Sequence, residues 1–160
     1  MTDDARFEDG GEVPLRLAAA DAEDLQVISS LVQDAVFPVS EVAWRAKERR
    51  FAVLVNRFRW EDEPRAKQRG RSYERVQSVL VIEDVRKVSS QGIDRRDDDL
   101  ILSLLSLTFS ESEDGTGRLE ILLAGDGGFA LEVECLNVTL TDVTRPYLAP
   151  SGKLPRHRDS

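Results

Sequence analysis

The apolar residues of this chain keep a helical period over one short stretch and a strand period everywhere after it, which leaves few folds open. Between residues 21 and 35, Leu25, Ile28, Val32 and Ala35 recur at spacings of three and four. From Val36 onward the apolar residues alternate in short runs broken by charged or glycine-containing turns. The pattern predicts an α+β fold, in which an N-terminal helix packs on a curved, mostly antiparallel sheet or partial barrel of six or seven strands.

Local signals sharpen this outline. Asp21 has the chemistry of an N-cap, Glu23 and Asp24 suit the first turn of a helix, and Pro38 sets a limit on its extent. The run 36–60 reads as a hairpin turning at Lys47–Arg50, with Phe51, Val53, Val55 and Arg57 on one face of its second strand. Strand character resumes at 73–90 and slips phase near 82–84, which predicts two shorter strands or a bulge. The leucine-rich segment 100–109 fits helix or strand; the hairpin turn directly after it favours strand. A second phase slip at Cys135–Leu136 predicts a bulge in the last strand, or a switch to helix there. Bulges at both slips would bend the sheet toward a barrel.

One domain over residues 15–145 accounts for the apolar content. An acidic tail at 1–14 and a basic, proline-rich tail at 146–160 are expected to be disordered. The formal net charge of -8 weakens any case for non-specific binding to nucleic acid or membrane. No apolar leader opens the sequence, and no run approaches the roughly 20 apolar residues of a spanning helix. Cys135 is the one cysteine, so no internal disulfide forms, and its setting in L-E-V-E-C predicts a small core residue. A reducing cytoplasm fits these features.

Few residues carry chemistry. Arg65, Lys67, Arg69, Arg71 and Arg75 cluster near Trp60 and Tyr73, the composition of a phosphate, RNA or partner contact. Glu61, Asp62 and Glu63 next to them favour a balanced, solvated loop instead, which ranks nucleic acid second. Asp94, Asp97, Asp98 and Asp99 are near neighbours in one loop and read as a solvated turn, and the run G-D-G-G at 125–128 reads as another. His157 is the only histidine and lies in the basic tail, which removes Ser-His-Asp, Cys-His and multi-histidine designs. No catalytic residue, metal site or cofactor is expected. Trp44 and Trp60 are expected to pack in the core or at its rim.

The segments Q-D-A-V, R-F-A-V-L-V-N-R-F-R-W, G-I-D-R and L-E-V-E-C together resemble the alphaproteobacterial domain-of-unknown-function family 2948, over most of residues 15–145. The resemblance implies a small cytoplasmic protein in a housekeeping setting, and it carries over no functional residue. The sheet curvature expected from the phase slips would also suit a pleckstrin-homology-like barrel. The function expected from these readings is a non-enzymatic binding or adaptor protein. The alternatives are a small-ligand protein or enzyme with a dispersed site, for example Arg57, Asn56 and Glu132, or RNA or phosphate binding through 65–75.

Overall fold

The computed structural model of the protein describes residues 14–62, 74–94 and 96–148. Its first element is a short strand, Arg16–Ala19 (β1), which leads into the one α-helix described, Ala22–Leu31 (α1). Asp21 caps that helix as its chemistry predicts, its carboxylate accepting from the Asp24 N–H at 2.8 Å. The helix stops at Leu31, short of the expected 35, because the chain is needed elsewhere. Asp34 takes a positive φ of 65°, and residues 34–35 then bond to the backbone of Leu104. Leu25, Ile28 and Ser29 are the buried positions of α1. The Ser29 hydroxyl accepts from the Leu107 N–H at 2.9 Å, so the helix satisfies a strand edge while burying its apolar stripe.

The strands follow as Val36–Pro38 (β2), Val42–Arg45 (β3), Arg50–Phe58 (β4), Glu74–Ile82 (β5), Val85–Gln91 (β6), Ile101–Glu111 (β7), Gly117–Leu123 (β8), Gly128–Val133 (β9), Val138–Asp142 (β10) and Tyr147–Leu148 (β11). The described residues therefore form eleven strands, where six or seven were expected. A 3-10 turn at Val39–Glu41 separates β2 from β3. The slip at 82–84 separates β5 from β6, one of the two outcomes expected there, and the slip at 135–136 separates β9 from β10. The short β1 and β11 add the rest. Segment 100–109 is strand.

Every pairing is antiparallel, in the order β1-β10-β5-β4-β2-β7-β8-β9-β6, with β11 beside β5 and β3 beside β4. The sheet folds over on itself at β7, whose first three residues pair with β2 and whose remainder pairs with β8. The inward faces of the two halves meet in one core, where the rings of Phe51 and Phe129 sit 5.4 Å apart. On β4 the inward positions are Phe51, Val53, Val55 and Arg57, as the alternation requires.

The slip at 135–136 is not a bulge. The chain leaves one half of the sheet there and enters the other, and β5 and β6 make the corresponding change of halves at 83–84. The two corners are bonded together: Glu134 N–H to the Asp84 carbonyl and Glu83 N–H to the Asn137 carbonyl, both at 2.9 Å. Asp84, at a φ of 59°, also accepts from Asn137 and from the Cys135 thiol through its side chain. Cys135 is thus an exposed corner residue and not a core residue. Its hydrogen bond to Asp84 raises the thiol above its usual range, the reverse of what a reactive thiolate needs.

Candidate functional site

Arg57 occupies an inward position that β4 otherwise gives to apolar side chains, and it is 0% exposed. A buried guanidinium needs counter-charge and full hydrogen bonding. Arg57 has both. It donates to Glu61 at 2.8 and 2.9 Å, to Asp142 at 3.1 Å, to the Ser78 hydroxyl at 3.0 Å and to the Phe58 carbonyl at 3.3 Å. Ser78 in turn donates to Asp142 at 2.7 Å. Beside this cluster the largely buried Arg59 pairs with Glu74 and, at 3.6 Å, with Asp62. The Trp60 indole N–H donates to the Gln33 carbonyl at 2.9 Å and its ring lies 4.8 Å from that of Phe58. This fastens the loop after β4 to the end of the helix.

Burial alone would push the Glu61 carboxyl up, but the hydrogen bonds and charge of Arg57 outweigh it and hold Glu61 below the usual carboxylate range. A carboxylate whose folded pKa is depressed adds stability above its unfolded value and loses it as pH falls through the folded one. Thermal melts should therefore show the midpoint falling as pH drops below about 4.5, the ordinary glutamate value. Glu61→Gln should flatten that fall; an unchanged slope would remove Glu61 as its source. With all three Arg57 nitrogens engaged inside the protein, this cluster holds structure together and offers no donor to a substrate.

Of the basic run singled out in the sequence, Arg65, Lys67, Arg69 and Arg71 lie outside the described residues. Arg75, on β5, donates to the Asn56 carbonyl at 3.3 Å and lies 5.9 Å from the centre of the Phe58 ring. Burial pulls it below the usual arginine range, so its charge serves packing more than a ligand. Arg57, Asn56 and Glu132 are not brought together. Arg57 points inward; Asn56, its neighbour on β4, takes the opposite face and bonds Tyr147; Glu132 pairs with Arg118 in the other half of the sheet. The aspartates at 94–99 make a turn of local bonds, Asp94 accepting from the Arg96 N–H and Asp97 from the Asp99 N–H. Among the described residues, no group of three or more His, Cys, Asp and Glu side chains could hold a metal.

A groove with a partly apolar lining lies open between β3 and β6. One edge of β4 carries β5; the other carries β3 and, further along, β2. From β2 the sheet continues through β7, β8 and β9 to β6, so that β3 and β6 are both end strands. The two ends come back toward one another; the Val85 N–H at the start of β6 donates to the Arg49 carbonyl just past β3. Between them lies a cavity of about 440 Å³, within the roughly 300–1,000 Å³ typical of ligand sites. Phe51 and Phe129 form its floor, Val42 and Trp44 one wall, and Val88 with Ser90 the other. Trp44 is 36% exposed and does not pack away as Trp60 does. A wider recess of about 580 Å³ near Phe109 and Leu136 is lined also by the carboxylates of Asp21 and Glu111, the first of which is occupied as the helix cap.

A family model described as "Protein of unknown function (DUF2948)" matches residues 15–157. The chain belongs to that family. The searches of curated proteins and of solved structures give no match. Of the stretches singled out in the sequence, Q-D-A-V lies on the exit from α1, R-F-A-V-L-V-N-R-F-R-W on β4 with Arg57 and just past it, Ile93 of G-I-D-R lines the groove, and L-E-V-E-C reaches the corner at Asp84. Among the described residues of this DUF2948 chain, no helix is long and apolar enough to cross a membrane. The groove escaped sequence reasoning because the hairpin register shows only that Trp44 lies opposite Phe51. That Trp44 stays uncovered depends on where β6 ends up, some forty residues later.

Proposed function

We propose that this chain is a small non-enzymatic binding protein of the cytoplasm, which holds an extended segment of a protein partner in the groove between β3 and β6. The observation that carries this reading is the half-exposed Trp44 above a floor of Phe51 and Phe129. A rigid aromatic at the mouth of an apolar pocket is the usual anchor of a protein contact. The groove's charged lining is limited to Asp98, beside the hydroxyls of Ser40, Ser89 and Ser90. Binding by the basic run is the weaker reading, since Arg75 is engaged with Asn56 and Phe58 and the net charge of -8 opposes nucleic acid.

Capture from native lysate tests the proposal when wild type is run beside Trp44→Ala and Val88→Asp. Both positions are partly exposed, so the fold should survive, which circular dichroism would check. The expected result is one stoichiometric partner held by wild type and lost, or weakened about tenfold or more, in both variants. A partner retained equally by all three proteins would move the contact off the groove.

A further inference from the structure

The groove is walled by backbone as well as by side chains. β6 pairs with β9 alone, and β3 with β4 alone, so among the described residues no strand lies against the outer edge of either. Unpaired strand edges attract other strands, and proteins ordinarily blunt them with bulges and lysines. Here that protection covers only the first part of β6, where the register shifts between Val85 and Lys87 and where Arg86 and Lys87 are exposed. Val88, Ser89, Ser90 and Gln91 carry no charge, and three of these four line the groove. An apolar cleft with a bare edge along it has one occupant that satisfies both features, a peptide in extended form.

The ends of the groove differ in charge. Val85 lies beside Arg49, so the beginning of β6, with Arg86 and Lys87, sits near the turn that carries Lys47. Glu48, Glu83 and Glu134 at this end are paired with Arg45, Arg50 and Arg49, and Lys87 lies opposite Glu132. The far end of the groove is bordered by Ile93 and Asp98. Neither Lys47, Lys87 nor Asp98 makes an ion pair among the described residues.

We infer that the groove takes its partner by strand addition: an extended segment pairs antiparallel with Val88–Gln91 of β6, and this rests on the groove being the binding site. Antiparallel pairing to β6 sets the direction, since it puts the start of the segment at the Asp98 end and its finish at the Lys47, Arg86 and Lys87 end. The segment that fits has apolar residues at alternate positions, which fall between Trp44 and Val88, with a basic residue at its start and an acidic residue at its finish.

The test uses the full chain and a synthetic peptide that begins with lysine, alternates threonine with valine, and ends with glutamate. Two relatives serve as controls: one N-methylated at alternate backbone amides, and one with lysine and glutamate exchanged. Fluorescence titration in a Trp60→Phe background, which leaves Trp44 as the reporter, gives affinity; hydrogen exchange gives the protected amides. The expected result is slowed exchange at Val88–Gln91, binding about tenfold or more weaker after methylation, and weaker binding after charge exchange. Binding that ignores methylation would overturn strand addition and leave the groove reading standing. Failure of all three peptides to bind also overturns the inference, while lysate capture that still depends on Trp44 would keep the groove as the site by another mode.

Discussion

Arg57→Ala is expected to destabilise the protein by about 3–5 kcal/mol, because it removes the guanidinium shared by the nearly buried Asp142 and by Glu61. Glu61 is left with the more distant Arg59 at 3.9 Å. Without the guanidinium, the two carboxylates and the Ser78 hydroxyl lose their shared partner. Urea unfolding monitored by tryptophan fluorescence would read the loss as a lowered midpoint at an unchanged slope. Arg57→Lys should recover little, since an ammonium cannot reach Glu61, Asp142 and Ser78 with the geometry of the planar fork. Combining Arg57→Met with Asp142→Asn should be less destabilising than Arg57→Met alone, because the nearly buried Asp142 charge is no longer left unpaired, while Glu61 keeps Arg59 and partial exposure. A loss below about 1 kcal/mol for Arg57→Ala would mean that water reaches the cluster, and that it behaves as a surface pair. The cluster also ties register. Ser78 lies opposite both Val55 of β4 and Asp142 of β10, so a one-residue slip of any of these strands would carry Arg57 or its partners to the wrong face.

Phe51→Ala should cost a similar amount, about 3–5 kcal/mol. Phe51 is 1% exposed and bridges the two halves of the sheet through Phe129. Its loss removes that ring contact and leaves a void beneath the groove. The void opens toward Trp44, so a second signature is expected: a red shift of Trp44 emission in the Trp60→Phe background, as water enters below it. Destabilisation of less than about 1 kcal/mol would show that the halves close over the gap, and that the floor of the groove is softer than its packing suggests.

Much of this architecture was legible in the residues, for reasons that are local. The spacing of Leu25, Ile28 and Val32 and the chemistry of Asp21 identify a helix and its start. Alternation along β4 identifies its buried face, including the unexpected Arg57. The phase slips at 82–84 and 135–136 were visible too, but only as breaks in a pattern. That they are two strands changing halves at one bonded corner depends on contacts between residues about fifty positions apart. The same limit misplaced Cys135. Its alternation with Leu131 and Val133 suggests the core, yet β9 ends at Val133, and two residues later the side chain has left the sheet. Strand number was underestimated chiefly because turns and corners split longer runs into β2 and β3, β5 and β6, and β9 and β10, and also because β1 and β11 are too short for a period of two to register. The groove was beyond reach for a related reason: a sequence reports which residues are apolar, but an uncovered edge is a property of where the chain is not.

The pairing of β1 with β10 has a consequence for how the protein is made. Arg16–Ala19 leave the ribosome more than a hundred residues ahead of their partners, Val138–Thr141. The helix waits as well, since β7, which covers Leu25 and Ile28, is not complete until residue 111. Through most of synthesis this segment is therefore an amphipathic helix with its apolar stripe uncovered and a lone strand without its partner. Closing such distant contacts is slow, and the interval exposes sticky surface. A chain cut after β9 would hold every residue of the groove and still lack the partner of its own first strand.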